Sequence, residues 1–212
     1  MLVKDIMTRN LITIDPETSF TNALKIMREN KIRRLPVLEG KKLVGIVTEK
    51  DILYASPSKA TTLDVWELHY LLNKLKVKEI MTKNVITVQE DTPIEEAAKI
   101  MVDNKIGALP VLKEDELVGI VTETDIFKIF LEMFGARKKG VRYTFKLPNV
   151  PGTFAKLSQK IFEAGGNIVS LASYGENEEI YTLVMKVEKI DHNKFMESMK
   201  DLKDVKLVHT VR

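Results

Sequence analysis

At 212 residues the chain is long enough for two modest domains with ordinary cores. A formal charge of +3 with 30% of residues charged describes a mixed, solvated surface and argues against a nucleic-acid footprint. Zero cysteines exclude disulfides, thiolate metal sites and cysteine nucleophiles. No apolar run approaches about eighteen residues and Met1-Leu2-Val3-Lys4-Asp5 carries no signal-peptide pattern, so no membrane partner is expected and the expected compartment is the cytoplasm.

In chain order, Leu11-Ile12-Thr13-Ile14 reads as a short strand. Thr18 or Ser19 then caps a helix on which Phe20, Ala23, Leu24 and Met27 form one apolar stripe, the methionine being core by its spacing. Asn30-Lys31 stops that helix, and the Leu35-Pro36-Val37-Leu38 strand follows. Leu43-Val44-Gly45-Ile46-Val47 reads as a buried strand, and Thr48-Glu49-Lys50-Asp51 directly after it as a helix start. Such a corner suits a ligand phosphate or ribose, because backbone N–H groups and the helix dipole converge there and a carboxylate can accept from ribose hydroxyls. The same residues are equally well read as a helix cap with an acidic residue in the first turn.

Between residues 56 and 76 lies a connector. Ser56-Pro57-Ser58-Lys59-Ala60-Thr61-Thr62 is a loop by composition. Asp64, with Glu67 three residues later, then caps a predicted helix carrying Val65, Leu68, Leu72 and Leu75 on one face, which Trp66 extends. From Val77 the first segment returns. Val3 to Leu53 and Val77 to Phe127 align without a gap, with more than half of the pairs identical. Val77-Lys78-Glu79-Ile80-Met81-Thr82 answers Val3-Lys4-Asp5-Ile6-Met7-Thr8, and Leu117-Val118-Gly119-Ile120-Val121-Thr122-Glu123-Thr124-Asp125 answers the strand-to-helix corner. In this copy Thr92-Pro93-Ile94-Glu95 opens the helix, with Ile94, Ala97, Ala98 and Met101 as its stripe. Two copies of one supersecondary unit imply that neither buries its apolar face alone.

The duplicated I-M-T, L-P-V and G-I-V-T-x-x-D blocks resemble the CBS domain, a family that works as a tandem pair. The resemblance implies repeats of β-α-β-β-α order over residues 1–55 and 77–134, packed as a pair, and an adenine nucleotide (AMP, ADP, ATP or S-adenosylmethionine) as regulatory ligand, with no cofactor required. It implies nucleotide contacts at Thr13, Arg33, Ile46, Thr48, Lys50 and Asp51, and at Thr87, Ile120, Thr122 and Asp125. In nucleotide-binding members a basic residue at the Arg33 place reaches ligand phosphates, a task that the planar guanidinium suits. Gly107 and Thr124 replace Arg33 and Lys50 in the second copy, which predicts two unequal sites, the first for phosphorylated nucleotides and the second for adenosine or less charged ligands. Solvated surface charge is the competing reading of Arg33 and Arg34.

A helix predicted from Asp125 to about Phe134 ends at Gly135, and residues 135–140 form a basic linker. From Val141 the pattern changes. Val141, Tyr143, Phe145 and Leu147 alternate as a strand; Pro151 starts a helix with Phe154, Leu157 and Ile161; Gly165-Gly166 stop it. A hairpin from Ile168 to Val187 turns at Gly175-Glu176-Asn177, Asp191 caps a second helix, and Val205 to Val211 is a last strand. The order βαββαβ is ferredoxin-like, so the whole chain is α+β with α/β repeats.

Asn149-Val150-Pro151-Gly152-Thr153-Phe154 with Gly166-Asn167-Ile168 resembles an ACT domain over residues 141–212. That family is regulatory and binds amino acids between paired domains, which implies a homodimer and an amino-acid site at Asn149, Gly152 and Asn167. Serine-responsive members carry Asn at the places of Asn149 and Asn167, and an amide offers both donor and acceptor to an amino acid. Asn149 stands in place of the common Asp, and Leu147 where serine binders carry His, so serine itself does not follow. A turn residue at Asn149 and a left-handed position at Asn167 is the plain alternative. The complete layout resembles the acetoin-utilisation (AcuB) family.

His69, His192 and His209 are scattered without metal-ligand spacing, and no nucleophile elbow or Walker loop is present, so no metal and no enzyme activity are expected. The predicted function is a regulatory sensor acting on a protein partner; the alternative is an assembly module whose ligand sites are vestigial.

Overall fold

The computed structural model describes residues 1–55, 72–175 and 179–212. The predicted connector helix is described only at its end, where residues 72–74 are helical and Leu72 and Leu75 pack against the core of the first repeat; its earlier part, with His69, and the Glu176-Asn177 turn lie outside the described residues. Two compact units result, Met1–Ile126 and Phe127–Arg212.

In the first unit the elements run α1 (Val3–Ile6), α2 (Phe20–Glu29), β1 (Arg34–Glu39), β2 (Lys42–Thr48) and α3 (Glu49–Ala55). The second copy supplies α4 (Val77–Ile80), β3 (Val88–Gln89), α5 (Ile94–Asn104), β4 (Ala108–Lys113), β5 (Glu116–Thr122) and α6 (Glu123–Met133), the last ending in the second unit. Most local signals act as their chemistry requires, although α5 begins at Ile94 with Pro93 at its N-cap and no side-chain cap bond, one residue later than the Thr92-Pro93 signal predicts. Ser19 Oγ accepts from the Asn22 N–H at 3.3 Å, and α2 buries Phe20, Ala23 and Met27. Both Asn-Lys stops work alike: the Asn30 and Asn104 amides each donate to a carbonyl one turn back, at 2.9 Å, while Lys31 and Lys105 take a left-handed φ of 54°. The hairpins β1–β2 and β4–β5 are antiparallel, with matching irregularities at Val37/Leu38 and Val111/Leu112.

The strand predicted at Leu11–Ile14 is reduced to a single bridge between Ile14 and Val37. Its counterpart β3 pairs in parallel with β4, and the ladder continues through the Glu90 N–H to the Leu112 carbonyl at 2.9 Å. Pro16 occupies the Glu90 place in the first copy and has no N–H to give.

The two copies exchange their leading arms. Val3 and Met7 pack with Val88, Ala97, Met101, Leu109, Val111 and Val121 of the second copy, whereas Val77 packs with Phe20, Ala23, Leu35, Val37, Val47 and Ile52 of the first. Backbone bonds fix the exchange: Thr8 and Ile120 trade N–H···O bonds at 2.9 and 3.0 Å, as do Thr82 and Ile46. Gly45 and Gly119 are required by this arrangement, because a Cβ at either would collide with the Sδ of Met81 or Met7. Each repeat core is thus closed by its sibling, and the pair forms one body.

The second unit continues with β6 (Val141–Pro148), α7 (Thr153–Glu163), β7 (Asn167–Tyr174), β8 (Ile180–Glu188), α8 (His192–Ser198) and β9 (Lys206–Val211). Its sheet has the order β7-β8-β6-β9 with every pair antiparallel, the ferredoxin-like arrangement expected from the pattern. Tyr143, Phe145 and Leu147 face α7 and α8 through Leu157, Ile161 and Phe195. The helix predicted from Pro151 begins instead at Thr153, since Gly152 stands at φ +87°, which a helix cannot include. Asp191 caps α8 by accepting from the Lys194 N–H at 3.1 Å. His192 is structural: its Nδ1 shares a hydrogen bond of 2.9 Å with the hydroxyl of buried Tyr143.

Candidate ligand cleft

The strand-to-helix corner is capped in both copies, reciprocally in the first. Thr48 donates its backbone N–H (2.8 Å) and its hydroxyl (2.7 Å) to Asp51 Oδ2, and accepts the Asp51 N–H at 3.2 Å. Thr122 donates to Asp125 Oδ2 at 3.1 and 2.7 Å in the same way. The Glu49 N–H is bound to the Arg33 carbonyl at 2.9 Å, and the Glu123 N–H to the Gly107 carbonyl at 3.2 Å. The backbone donors expected to await an anion are therefore largely engaged within the fold. The capping role is thus a physical feature of the corner, and Thr48, Glu49 and Lys50 of the first copy also line a cleft.

Beside the first corner lies a cleft of about 470 Å³. Its apolar lining comes from Ile46, Val85, Ile86, Ile106, Ala108 and Pro110, while Thr48, Thr82 and Asn84 supply neutral polar groups. The charged lining is Arg33, Arg34, Lys50 and Lys105 against the single carboxylate of Glu49. Burial, and next the neighbouring Arg33, pull the Arg34 guanidinium below the usual arginine range, while Glu123 works in the opposite direction. Arg34 stays a cation at neutral pH. Lys50 leans over the Tyr54 ring, its Nζ 5.4 Å from the centroid.

Of the residues predicted for nucleotide contact, Arg33, Ile46, Thr48 and Lys50 line this cleft, and Asp51 holds Thr48 from behind. Thr13 and Thr87 are half-buried beside Ile14 and Val88 and do not line it. Ile120 pairs with Thr8, and Thr122 with Asp125 forms the second corner. Gly107, expected to mark the other site, lines the same cleft as Arg33. Sequence reasoning missed Thr82, Asn84 and Lys105. The available signal was that each recurs identically, as Thr8, Asn10 and Lys31, on segments outside the apolar stripes.

In the second unit a hollow of about 560 Å³ is lined by Asn149, Phe154, Leu171, Ser173, Tyr174, Gly175, Tyr181 and Leu183. Asn149 donates its N–H to the Glu179 carbonyl at 2.8 Å. Gly152 caps α7 outside this lining, and the Asn167 amide donates to Glu188 Oε1 at 2.9 Å. Pro148 pairs with Ile180 and Asn167 with Glu188, so Asn149 and Asn167 stand at opposite ends of β8. The three predicted residues are not gathered within one copy. Among the described residues no group of three or more acidic or histidine side chains could hold a metal ion, and no helix is long and apolar enough to cross a membrane.

Residues 3–58 and 77–132 each match the CBS domain family, and residues 139–208 match the TTHA0829-like ACT domain family. The chain is 43% identical over 120 residues to inosine-5'-monophosphate dehydrogenase of Korarchaeum cryptofilum, a match covering 56% of this chain and only 22% of that enzyme. Among solved structures, the CBS domain pair of protein MJ0100 in complex with 5'-methylthioadenosine and S-adenosyl-L-methionine is 36% identical, with a TM-score of 0.52 over 65% of this chain and 98% of that one. A Vibrio cholerae protein assigned to acetoin utilization (AcuB) is 31% identical, with a TM-score of 0.54 over 65% and 96% of the two chains. CBSX2 in complex with AMP is 30% identical, with a TM-score of 0.52 over 61% and 96%. With exchanged arms, twin corners and these matches together, the chain belongs to the CBS-domain family as a tandem pair, followed by a TTHA0829-like ACT domain.

Proposed function

We propose that the chain is a non-enzymatic cytoplasmic sensor that binds an adenine nucleotide in the cleft beside Thr48 and passes its state to a partner metabolic enzyme. The carrying observation is the cleft itself: apolar side chains suited to a base share its lining with four cations and one carboxylate. Relatives of the CBS pair are solved with AMP and with S-adenosylmethionine, which supports the ligand class. A ligand moves such a protein only by its differential affinity for two states, so the output is a population shift read by contact. Isothermal titration of the full chain with AMP, ADP, ATP and S-adenosylmethionine tests the reading. Saturable binding of an adenine ligand is expected, and heats no larger than dilution for all four remove the proposal.

The hollow beside Asn149 is read as an amino-acid site completed by pairing of two ACT domains in a homodimer. Its support is the mixture of amide, hydroxyl and aromatic groups there. Light scattering should give a dimer, and titration with a panel of amino acids should raise its thermal stability.

A second reading, an assembly module with vestigial ligand sites, draws on the corner. Thr48 and Asp51 are satisfied by each other and need no ligand to explain them. The nucleotide titration separates the two readings.

A further inference from the structure

Arg33-Arg34 and Gly107-Ala108 hold equivalent places in the two copies, yet all four line one cleft. The cleft is therefore built at the seam between the repeats. Gly107 provides the room: a Cβ there would lie 2.5 Å from Arg34 Nη2 and 2.7 Å from Glu123 Oε2. A guanidinium from the first repeat thus fills the space beside the strand-to-helix corner of the second. Among the described residues Arg34 has no carboxylate at salt-bridge distance and no side-chain hydrogen bond, although Glu123 is close by. It is a half-buried cation, crowded by Arg33 and only partly offset. Such a group gains from an arriving anion more than a solvated lysine does, because less water must be displaced.

We infer that Arg34 discriminates the ligands of this cleft by their charge, and that Glu123 sets the threshold by competing for the same guanidinium. The inference deepens the nucleotide reading and rests on it. Adenosine leaves Arg34 beside Glu123. A di- or triphosphate draws it toward Arg33, Lys50 and Lys105, where charge-assisted bonds are roughly twice as strong as neutral ones. A sulfonium ligand such as S-adenosylmethionine meets the same cations unfavourably. The cleft is thereby matched to nucleoside polyphosphates over uncharged nucleosides and sulfonium compounds.

The test is calorimetric titration of adenosine and ATP into the full chain as wild type, Arg34→Gln and Glu123→Gln. Arg34→Gln should weaken ATP about tenfold or more while adenosine changes less than about twofold. Glu123→Gln should tighten ATP by about two- to fivefold and leave adenosine unchanged. This second change is an exposed, near-isosteric one, so its result stands even where Arg34→Gln fails to fold. Equal weakening of both ligands by Arg34→Gln overturns the role given to Arg34, an unchanged ATP affinity in Glu123→Gln overturns the competition given to Glu123, and either result leaves the nucleotide reading intact. Wild-type protein that binds neither ligand overturns the nucleotide reading and this inference together.

Discussion

Met81, in the arm that leads into the second repeat, lies in the space that the missing side chain of Gly45 leaves open in the first. Met7 and Gly119 repeat the relationship in the other direction. The recurring I-M-T and G-I-V-T blocks are therefore two halves of one contact, made across the repeats. An arm that supplies core to its sibling also ties the two repeats to one folding event.

Gly45→Ala and Gly119→Ala should both destabilise the pair by overpacking, on the order of 1–3 kcal/mol. Gly119→Ala should cost more. Met7 is buried and the Thr8 carbonyl lies 3.2 Å from the added Cβ, whereas the three nearest atoms to Gly45 all belong to the partly exposed Met81 side chain. Urea denaturation of the two variants checks the order; equal midpoints would refute the order, and midpoints unchanged from the wild type in both would count against arm exchange.

Thr48 and Asp51 should behave as one unit. Thr48→Ala or Asp51→Ala should each cost about 1 kcal/mol as a lost helix cap. The double variant should cost little more than either, because one interaction is being removed twice. Additive losses in the same denaturation assay would mean that the two side chains work separately.

Arg33→Gly makes the first copy resemble the second at this place. Titration should then find ADP and ATP weakened more than adenosine, and a shallower loss of affinity with added salt than in the wild type. If all three ligands weaken alike, Arg33 serves the surface and not the phosphate.

The Tyr143 hydroxyl is held above the ordinary tyrosine pKa, chiefly by burial, with Arg212 acting against the shift. The unfolded chain ionises this group first as pH rises through about 10, so the unfolded state then binds fewer protons than the native one. Its contribution to stability is complete below that pH and falls away above it. Tyr143→Phe should flatten this alkaline loss. At neutral pH it should cost about 0.5–1.5 kcal/mol through the missing bond to His192. Thermal melts from about pH 8 to 11, spanning that transition, compare the two slopes.

Much of the architecture is written in local pattern. Gapless duplication, a stripe such as Phe20, Ala23 and Met27, the Asn-Lys stops and the βαββαβ order of the last third all depend on neighbours within a few residues, where backbone periodicity dictates which side chains share a face. The pairing of Thr48 with Asp51 is local too, and spacing alone determined it. Periodicity says that a face is buried but not against what, so the exchange of Met7 and Met81 between repeats was decided only by packing. For the same reason tertiary structure alone brought Lys105, Thr82 and Asn84 to the cleft of Arg33, and set Arg34 beside Glu123. It also parted Asn149 from Asn167. An eleven-residue helix stands between their loops and holds them a helix length apart, at opposite ends of one strand, however alike their chemistry.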